Sequence, residues 1–311
     1  MKVDEFIRLL DKAKRRWHLI GENENGLIAV LDLEGRLFTF IKGEMLSRVN
    51  EEAVSEQSTR DKYQNPGGDV LWPAPEGTCF GYEYSTGKWR VPPGITGARY
   101  LVKESGENRA VIEAEIDLIN SRGLGLPCIF RRDIRLKHEA RAMTVNVVET
   151  IIYIGNKTLS ADDCMMAPWS LCQFDSGEGA EVVFPHVEGS VRDLYEPSDS
   201  QRFLRDGFCH TKTDGAQRYQ IAIDERVDWI EYRYPERNLR VHRTALKCVP
   251  GLKYIDIADA APESCPSEKG VRFSVYSDMN KFMEIEAVGA SPALISNGIS
   301  MSVEVYTKFA F

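Results

Sequence analysis

Hydrophobic positions at the start of the chain recur with the period of an α-helix. They follow the spacing i, i+3, i+4, i+7 and are Val3, Phe6, Ile7, Leu10, Ala13 and Trp17. Residues three and four apart lie on one face of a helix, so this spacing predicts one amphipathic helix from about Val3 to Arg16. We expect the segment 1–17 to form this helix and to pack on the main fold.

Beyond this helix the apolar positions change to a period of two, which is typical of β-strands with one buried face. The strand candidates are Leu27–Asp32, Arg36–Ile41, Ala110–Leu118, Cys128–Lys137, Thr144–Ile154, Glu181–Phe184, Tyr219–Ile223, Trp229–Tyr234, Lys253–Ile257, Val271–Tyr276, Lys281–Val288 and Ile299–Phe309. Turn clusters separate them, and no later stretch of any length has helical period. The pattern therefore predicts an all-β fold without βαβ units, and we expect residues 1–311 to form a single domain.

The segment Asn65–Pro93 departs from both patterns. It combines the turn formers Pro-Gly-Gly at 66–68 and Pro-Glu-Gly at 75–77 with several large aromatic residues, including Trp72 and Trp89. Glycine permits positive φ and proline fixes φ, so the segment is predicted to be a shaped loop system. Flat aromatic faces beside carboxylates and amides suit the binding of a sugar ring.

Composition narrows the classes of function. The 311 residues carry a net charge of −8, which disfavours a broad basic surface for nucleic acid. No apolar run is long enough to cross a membrane and the first residues lack the apolar core of a secretory signal, so we expect a cytoplasmic protein. The seven cysteines are scattered without a Cys-x-x-Cys pair, which indicates reduced thiols. We see no sequence signal for a metal site or a nucleotide cofactor, and none for an oligomeric state.

The strand Lys281–Val288 carries two acids with the spacing i, i+2. Alternation places Glu284 and Glu286 on one face, roughly 6.6 Å apart at about 3.3 Å per residue. Carboxylates at that distance can divide acid and base roles, because burial and mutual repulsion separate their pKa values. On an open sheet face the same pattern is simply a pair of solvated acids.

Three segments resemble the galactose mutarotase (aldose 1-epimerase) superfamily. The first, from Glu284 to Gly289, is similar to a Leu-Glu-Leu-Glu-Ser-Leu-Gly pattern found late in those proteins, and Tyr276-Ser-Asp278 precedes it. The second, Gly67–Gly77, resembles the Gly-Gly-x-x-x-Trp-x-x-Pro-Glu-Gly segment of uncharacterised mutarotase-like proteins. The third, from Glu149 to Asn156, is similar to a long strand and asparagine-bearing turn of the superfamily.

This resemblance implies a β-supersandwich whose concave face holds a mono- or oligosaccharide. In the mutarotases a late glutamate takes the proton of the anomeric hydroxyl and a histidine protonates the ring oxygen. The resemblance makes Glu284 or Glu286 the glutamate. A histidine is missing from the corresponding segment, which here is Ala167–Gln173, and the nearest candidate is His186.

The expected sugar contacts come from the same segments. They are Trp72, Glu76, Lys88, Trp89, Trp169, Gln173 and Asp278, with Arg132 as a further candidate. Arg132 is the one polar residue on the apolar face of its strand, so it is either a buried arginine paired to an acid or a ligand contact.

Three functions remain open at this point. The first is an aldose 1-epimerase-type enzyme acting on a free sugar. The second is a non-catalytic carbohydrate-binding protein on the same scaffold, which the missing histidine favours. The third is a hydrolase or lyase acting on a uronic-acid saccharide, in which Arg132 or Lys88 would meet the carboxylate.

Overall fold

The structure is a computed structural model that describes residues 1–56, 58–59, 63–76, 91–120, 123–259 and 267–310. Lys88 and Trp89, two of the expected sugar contacts, lie outside these residues. Within them the helices are α1 (Val3–Lys12), α2 (Glu51–Ser55) and α3 (Pro93–Thr96), with short 3-10 turns at Asp199–Gln201 and Pro235–Arg237.

Strands make up most of the described chain, which confirms the all-β prediction. In the first half they are β1 (Trp17–Gly21), β2 (Asn25–Val30), β3 (Arg36–Ile41), β4 (Glu44–Met45), β5 (Asp69–Ala74), β6 (Leu101–Gly106), β7 (Arg109–Ile119), β8 (Gly125–Glu139), β9 (Ala142–Tyr153), β10 (Leu159–Ser160), β11 (Ala167–Asp175) and β12 (Glu181–Pro185). In the second half they are β13 (Val191–Asp193), β14 (Arg202–Arg205), β15 (Phe208–Lys212), β16 (Tyr219–Ile223), β17 (Trp229–Tyr234), β18 (Leu239–Ala245), β19 (Leu252–Tyr254), β20 (Phe273–Asp278), β21 (Phe282–Val288), β22 (Ala290–Pro292), β23 (Leu294–Ile295) and β24 (Ser300–Ala310). Each predicted strand overlaps one of these.

Two large antiparallel sheets contain most of the strands. In the part of the chain that the structure describes, the first sheet has the order β1-β2-β3-β5-β11-β21-β20-β16-β13, with β4 paired to β3. The second sheet has the order β14-β15-β12-β17-β18-β24-β9-β8-β7-β6. A single cluster of buried apolar side chains draws residues from both sheets, so the main core lies between them. Antiparallel sheets stacked on a shared core form a β-sandwich.

Helix α1 covers part of the first sheet, as the amphipathic pattern predicts. Its buried residues Val3, Phe6 and Leu10 belong to a second apolar cluster that includes Phe38 of β3. The rings of Phe6 and Phe38 are 4.7 Å apart between centroids. The helix is therefore held by packing of one apolar face, which supplies most of the stability of a short helix in a protein.

The helix is shorter than the sequence predicts. It ends at Lys12, because Lys14 adopts a φ of 55° in the left-handed region, and that conformation stops an α-helix. Trp17, which the helical spacing included, begins β1 instead, and its Nε1 donates to Asp11 at 3.0 Å. The predicted helical segment 1–17 is thus corrected to Val3–Lys12.

A buried ionic cluster joins the two sheets. Arg132 of β8 has no exposed surface and donates to both carboxylate oxygens of Glu149, at 2.9 Å and 2.6 Å. It also donates to the backbone oxygens of Gly35 and Asp69, each at 2.9 Å, and to the Asp69 carboxylate. Arg243 of β18 donates to the same carboxylate at 3.0 Å. These arginines tie β5 of the first sheet to the second sheet.

Two further expectations concern cysteines and membranes. The five cysteines within the described ranges are free thiols, and Cys128, Cys164, Cys172 and Cys209 are buried. None of the described helices combines the length and the apolar character needed to span a membrane.

Candidate functional site

Five neighbouring strands of the first sheet build the candidate site. They are β5, β11, β21, β20 and β16, which come from widely separated parts of the chain. On β11 the residues Ser170 and Cys172 face the core between the sheets, so Trp169, Leu171 and Gln173 face the other way. The site lies on that second face.

The pairing register fixes which side chains meet on this face. Trp72 of β5 lies opposite Trp169 of β11, and Gln173 of β11 lies opposite Glu284 of β21. Tyr276 of β20 lies opposite Glu284 on its other side. Because directly opposed residues point to the same face, the backbone alone brings these side chains into one group.

A cavity of about 520 Å³ opens above this group. That volume is in the range of small-molecule sites. Its described lining residues are Tyr63, Asn65, Trp72, Glu76, Trp169, Leu171, Tyr195, Arg218, Gln220, Asp259, Tyr276, Asp278, Asn280, Phe282 and Glu284.

Two of the aromatic residues that line the cavity are tryptophans. The rings of Trp72 and Trp169 are 6.1 Å apart between centroids and meet at 76°, in an edge-to-face arrangement. Their indole groups are both anchored, since Trp72 Nε1 donates to Glu34 at 3.2 Å and Trp169 Nε1 donates to Glu286 at 3.0 Å. The aromatic surface is therefore fixed by hydrogen bonds as well as by packing.

Glu284 and Glu286 form a pair of buried carboxyl groups. Glu284 lines the cavity, whereas Glu286 has no exposed surface and lies beneath it. Besides Trp169, Gln220 Nε2 donates to both oxygens of Glu286 at 3.2 Å, and Gln173 Nε2 donates to Glu284. The sequence pattern on β21 is thus a buried pair and not a solvated one.

Burial raises the pKa of both carboxyl groups above the ordinary value of 4.5. The pKa of Glu286 is raised further, because the negative charge of Glu284 adds to the effect of burial. Hydrogen bonds and the charge of Arg36 act in the opposite direction on Glu284. Two adjacent buried carboxyl groups do not readily ionise together, so the pair favours a state with one proton, held mainly by Glu286.

Several polar residues lie near the carboxyl pair of Glu284 and Glu286. Tyr276 Oη donates to Asp278 at 2.6 Å and accepts from Arg218 Nε at 3.1 Å. The backbone N–H and Nδ2 of Asn280 both donate to Asp278 at 2.7 Å. Burial, followed by the hydrogen bond with Asp278, raises the pKa of the Tyr276 phenol. Tyr276 therefore keeps its proton at neutral pH.

Another part of the cavity lining joins three chain segments. Tyr195 Oη donates to Glu76 at 3.1 Å and accepts from the backbone N–H of Asp259 at 2.7 Å. The Arg218 guanidinium lies 6.0 Å from the Tyr195 ring and 5.6 Å from the Tyr276 ring. Glu76 and Asp278, both expected from sequence as sugar contacts, thus lie in the cavity lining.

The structure separates the other expected residues into two groups. Glu284, Trp72 and Trp169 also line the cavity, while Gln173 lies next to it and holds Glu284. Arg132 is buried between the sheets in its ion pair with Glu149, and it is not among the residues that line the cavity. Arg132 is therefore a buried arginine paired to an acid.

His186 is also remote from this lining. It is exposed just after β12 of the second sheet, and its backbone N–H donates to Gly207 at 3.0 Å. All five histidines fall within the described ranges, and none of them lines the cavity. His186 is therefore not placed to act as the proton donor in this cavity.

Ten of the fifteen described lining residues were not expected as site residues from the sequence, and they include Tyr195, Arg218, Gln220, Tyr276 and Asn280. Tyr195 stands in the long polar excursion between Glu188 and Asp206, and Arg218 directly precedes a predicted strand. Asn280 follows the Tyr276-Ser-Asp278 segment closely enough that the resemblance could have included it.

Solved structures with the same architecture cover nearly the whole chain. A galactose mutarotase-like protein from Clostridium acetobutylicum is 9% identical over 96% of this chain and 97% of its own, with a TM-score of 0.56. A galactose mutarotase-like protein from Lactobacillus casei ATCC 334 is 9% identical over 94% and 100%, with a TM-score of 0.55. A candidate aldose 1-epimerase from Escherichia coli K12 is 11% identical over 96% and 99%, with a TM-score of 0.53.

These likenesses define the class of fold, a galactose mutarotase-like β-sandwich, and they confirm the fold that the sequence resemblance implied. Within that class, the chain belongs to the family described as "Family of unknown function (DUF6786)", whose model matches residues 4–229. No curated protein sequence matches the chain. The matched residues include Trp72, Trp169 and Arg218, whereas the carboxyl pair on β21 lies beyond them.

Proposed function

We propose that the protein binds a free sugar in the cavity over Trp72 and Trp169 and catalyses its anomeric interconversion, as an aldose 1-epimerase-type enzyme. The observation that carries the proposal is the buried pair of Glu284 and Glu286, with one carboxyl group in the cavity and the other beneath it. A galactose mutarotase-like fold supports the ligand class by analogy. Aromatic faces beside fixed donors and acceptors are the usual features of a sugar site.

The proposed base is Glu284. In its ionised form it takes the proton from the anomeric hydroxyl, while the bond between C1 and the ring oxygen breaks and its electron pair passes to that oxygen. The product is the open-chain aldehyde, and closure on the other face of C1 reverses the same steps. Glu286 supports this role because, while it holds the shared proton, Glu284 remains the ionised member of the pair.

The proposed acid is Tyr276, which lies opposite Glu284 in the sheet and lines the cavity. Its hydroxyl gives a proton to the ring oxygen as the ring opens. Arg218 Nε already donates to that hydroxyl, so it would stabilise the negative charge that develops on the phenol oxygen. This assignment supplies the acid that a histidine provides in the mutarotases.

A second function, non-catalytic sugar binding, is favoured by the lack of a histidine in the cavity lining. In that case the cavity would hold a sugar with the same contacts and leave its anomeric ratio unchanged. Asp278, Asn280 and Arg218 would then act only as donors and acceptors for ring hydroxyls.

Polarimetry on freshly dissolved α-glucose and α-galactose tests the catalytic proposal. We expect the wild-type protein to accelerate mutarotation, and Glu284→Gln to lower the catalysed rate by about 100-fold or more, because the base is lost. Tyr276→Phe should lower it by roughly 10- to 100-fold. Glu115→Gln, which changes an exposed acid on β7, serves as the control and should retain full activity.

Calorimetric titration of the same sugars separates the two functions. If the wild-type protein binds a sugar but does not accelerate its mutarotation, the protein is a non-catalytic sugar-binding protein. If no member of a broad set of monosaccharides and oligosaccharides binds, both proposed functions are contradicted.

A further inference from the structure

Behind the aromatic wall of the cavity lies a buried ion pair that the proposed chemistry does not use. Glu34 stands at the tip of the hairpin between β2 and β3, with a φ of 57°, and is only 3% exposed. Arg36, two residues later, has no exposed surface. Arg36 Nη2 donates to Glu34 at 2.7 Å and its Nε donates to the same oxygen at 3.2 Å. A charged hairpin tip is ordinarily solvated, so its burial here calls for an explanation.

The same carboxylate oxygen of Glu34 accepts hydrogen bonds from two residues that line the cavity. Glu34 Oε2 accepts from Trp72 Nε1 at 3.2 Å and from Tyr63 Oη at 3.4 Å. Arg36 completes the arrangement, since Nη2 donates to Tyr63 Oη at 2.6 Å and Nη1 donates to the backbone oxygen of Gly67 at 2.7 Å. Its guanidinium also lies 5.7 Å from the Trp72 ring.

These contacts fix the geometry of the aromatic wall. The rings of Tyr63 and Trp72 are 6.1 Å apart between centroids and meet at 64°. Trp72 in turn meets Trp169 edge to face. The buried ion pair thus orients Tyr63 and Trp72, and a guanidinium with several directed donors is suited to that task.

Arg36 also brings a permanent positive charge close to Glu284, and this charge acts to lower the pKa of Glu284. Other titratable groups interact with Glu284 too, namely Glu286, Asp278, Tyr276 and Tyr63. The lining residues Glu76, Tyr195, Arg218 and Asp259 share its cavity. Arg36 is buried, so its effect is screened less by solvent than that of an exposed cation.

We propose that Glu34 and Arg36 are positioning residues, whose buried ion pair orients Tyr63 and Trp72 for the sugar. The sugar-binding part of this inference rests on the function proposed above. The orientation of Trp72 does not, so it can be measured without any sugar.

The experiment compares Glu34→Gln, Arg36→Lys and the double variant Glu34→Gln/Arg36→Met with the wild-type protein. The double variant removes both charges together, so it leaves no unpaired buried charge that would prevent folding. Near-ultraviolet circular dichroism, calibrated with Trp72→Phe, reports the orientation of Trp72.

We expect the double variant to lose the Trp72 component of the dichroism spectrum and to bind glucose or galactose at least tenfold more weakly. Glu34→Gln keeps an acceptor for Trp72 and Arg36→Lys keeps the charge. Each should therefore retain part of the wild-type behaviour, as a positioning role requires.

Arg272→Met is the matched control. Arg272 is also buried, at 3% exposure, and donates to Asp228 and to backbone oxygens, but it does not line the cavity. An unchanged dichroism spectrum in the double variant would overturn the inference. If no sugar binds to the wild-type protein, the proposed function fails, and the dichroism spectrum still decides whether Glu34 and Arg36 position Trp72.

Discussion

At the scale of single residues, Glu286 is the most constrained group of the site. Its carboxyl group is buried, accepts from Trp169 and Gln220, and neighbours a second carboxyl group. Burial raises its pKa well above 4.5, and the charge of Glu284 raises it further. A raised pKa of an acid means that the folded protein retains a proton which the unfolded chain has already released.

This proton makes stability depend on pH. The contribution is fully present below pH 4.5 and is lost progressively as the pH rises from 4.5 toward the raised pKa of Glu286, by up to about 1.4 kcal/mol per pH unit. We expect Glu286→Gln to flatten this decline, because glutamine does not ionise. Urea unfolding between pH 5 and pH 8 measures the effect. A decline as steep in Glu286→Gln as in the wild-type protein would show that Glu286 does not hold the proton.

Single residues also show what the sequence can predict about the site. The alternation on β21 places Glu284 and Glu286 on one face, and the turn-rich segment around Trp72 marks a wall of the cavity. Arg218 and Tyr195 carry no such local signal, since they reach the cavity only through the pairing of distant strands and the course of a long connection. Residues of this kind need tertiary structure to be recognised.

At the scale of secondary-structure elements, β11 is the central strand of the site, yet it is not among the strands that the sequence pattern predicts. Residues Ala167 to Phe174 are all buried, because β11 is flanked by β5 and β21 and covered on both faces. A strand buried on both faces lacks the alternation that reveals a half-exposed strand such as β9. Pro168 lowers the strand signal further.

The end of β21 is closely packed against β11. A methyl group added at Gly289 would lie 2.7 Å from Cγ of Pro168 and 3.3 Å from the backbone oxygen of Ser302. This close approach accounts for the glycine that ends the Glu284–Gly289 segment, which resembles a mutarotase pattern. The packing also places Pro168 directly beside Trp169 of the cavity.

We therefore expect Gly289→Ala to destabilise the protein by about 1–3 kcal/mol, the usual cost of overpacking. Gly125→Ala is the control, since a methyl group there meets nothing within 4 Å. Chemical denaturation of both variants measures the difference. Equal stability of the two would show that the ring of Pro168 moves aside without cost.

At the scale of the whole molecule, the ionic cluster of Arg132, Glu149 and Asp69 connects the sheets. We expect Arg132→Met to lower the free energy of unfolding by about 3–5 kcal/mol, because it leaves the buried carboxylate of Glu149 without its ion-pair partner. The free energy of unfolding should fall by a smaller amount in the double variant Arg132→Met/Glu149→Gln. Chemical denaturation measures stability, and calorimetry should show unchanged sugar affinity in the folded variant. A large loss of affinity would restore Arg132 as a ligand contact.

The overall architecture was more accessible from sequence than the site. Strand periodicity predicted the all-β class, and three segments spread along the chain indicated the galactose mutarotase-like fold. The order of strands within each sheet was not predicted, because alternation specifies which face of a strand is buried and not which strands are neighbours. That order is what brings the cavity residues together.

The position of β11 between β5 and β21 has a consequence for the folding rate. Trp72 pairs with Trp169 across nearly a hundred residues, and Gln173 pairs with Glu284 across more than a hundred. Closing such long loops costs entropy before any contact is gained, so sheets of this topology fold slowly. The cavity can form only when these late pairings are complete, and the appearance of ligand binding during refolding would therefore mark the final stage of folding.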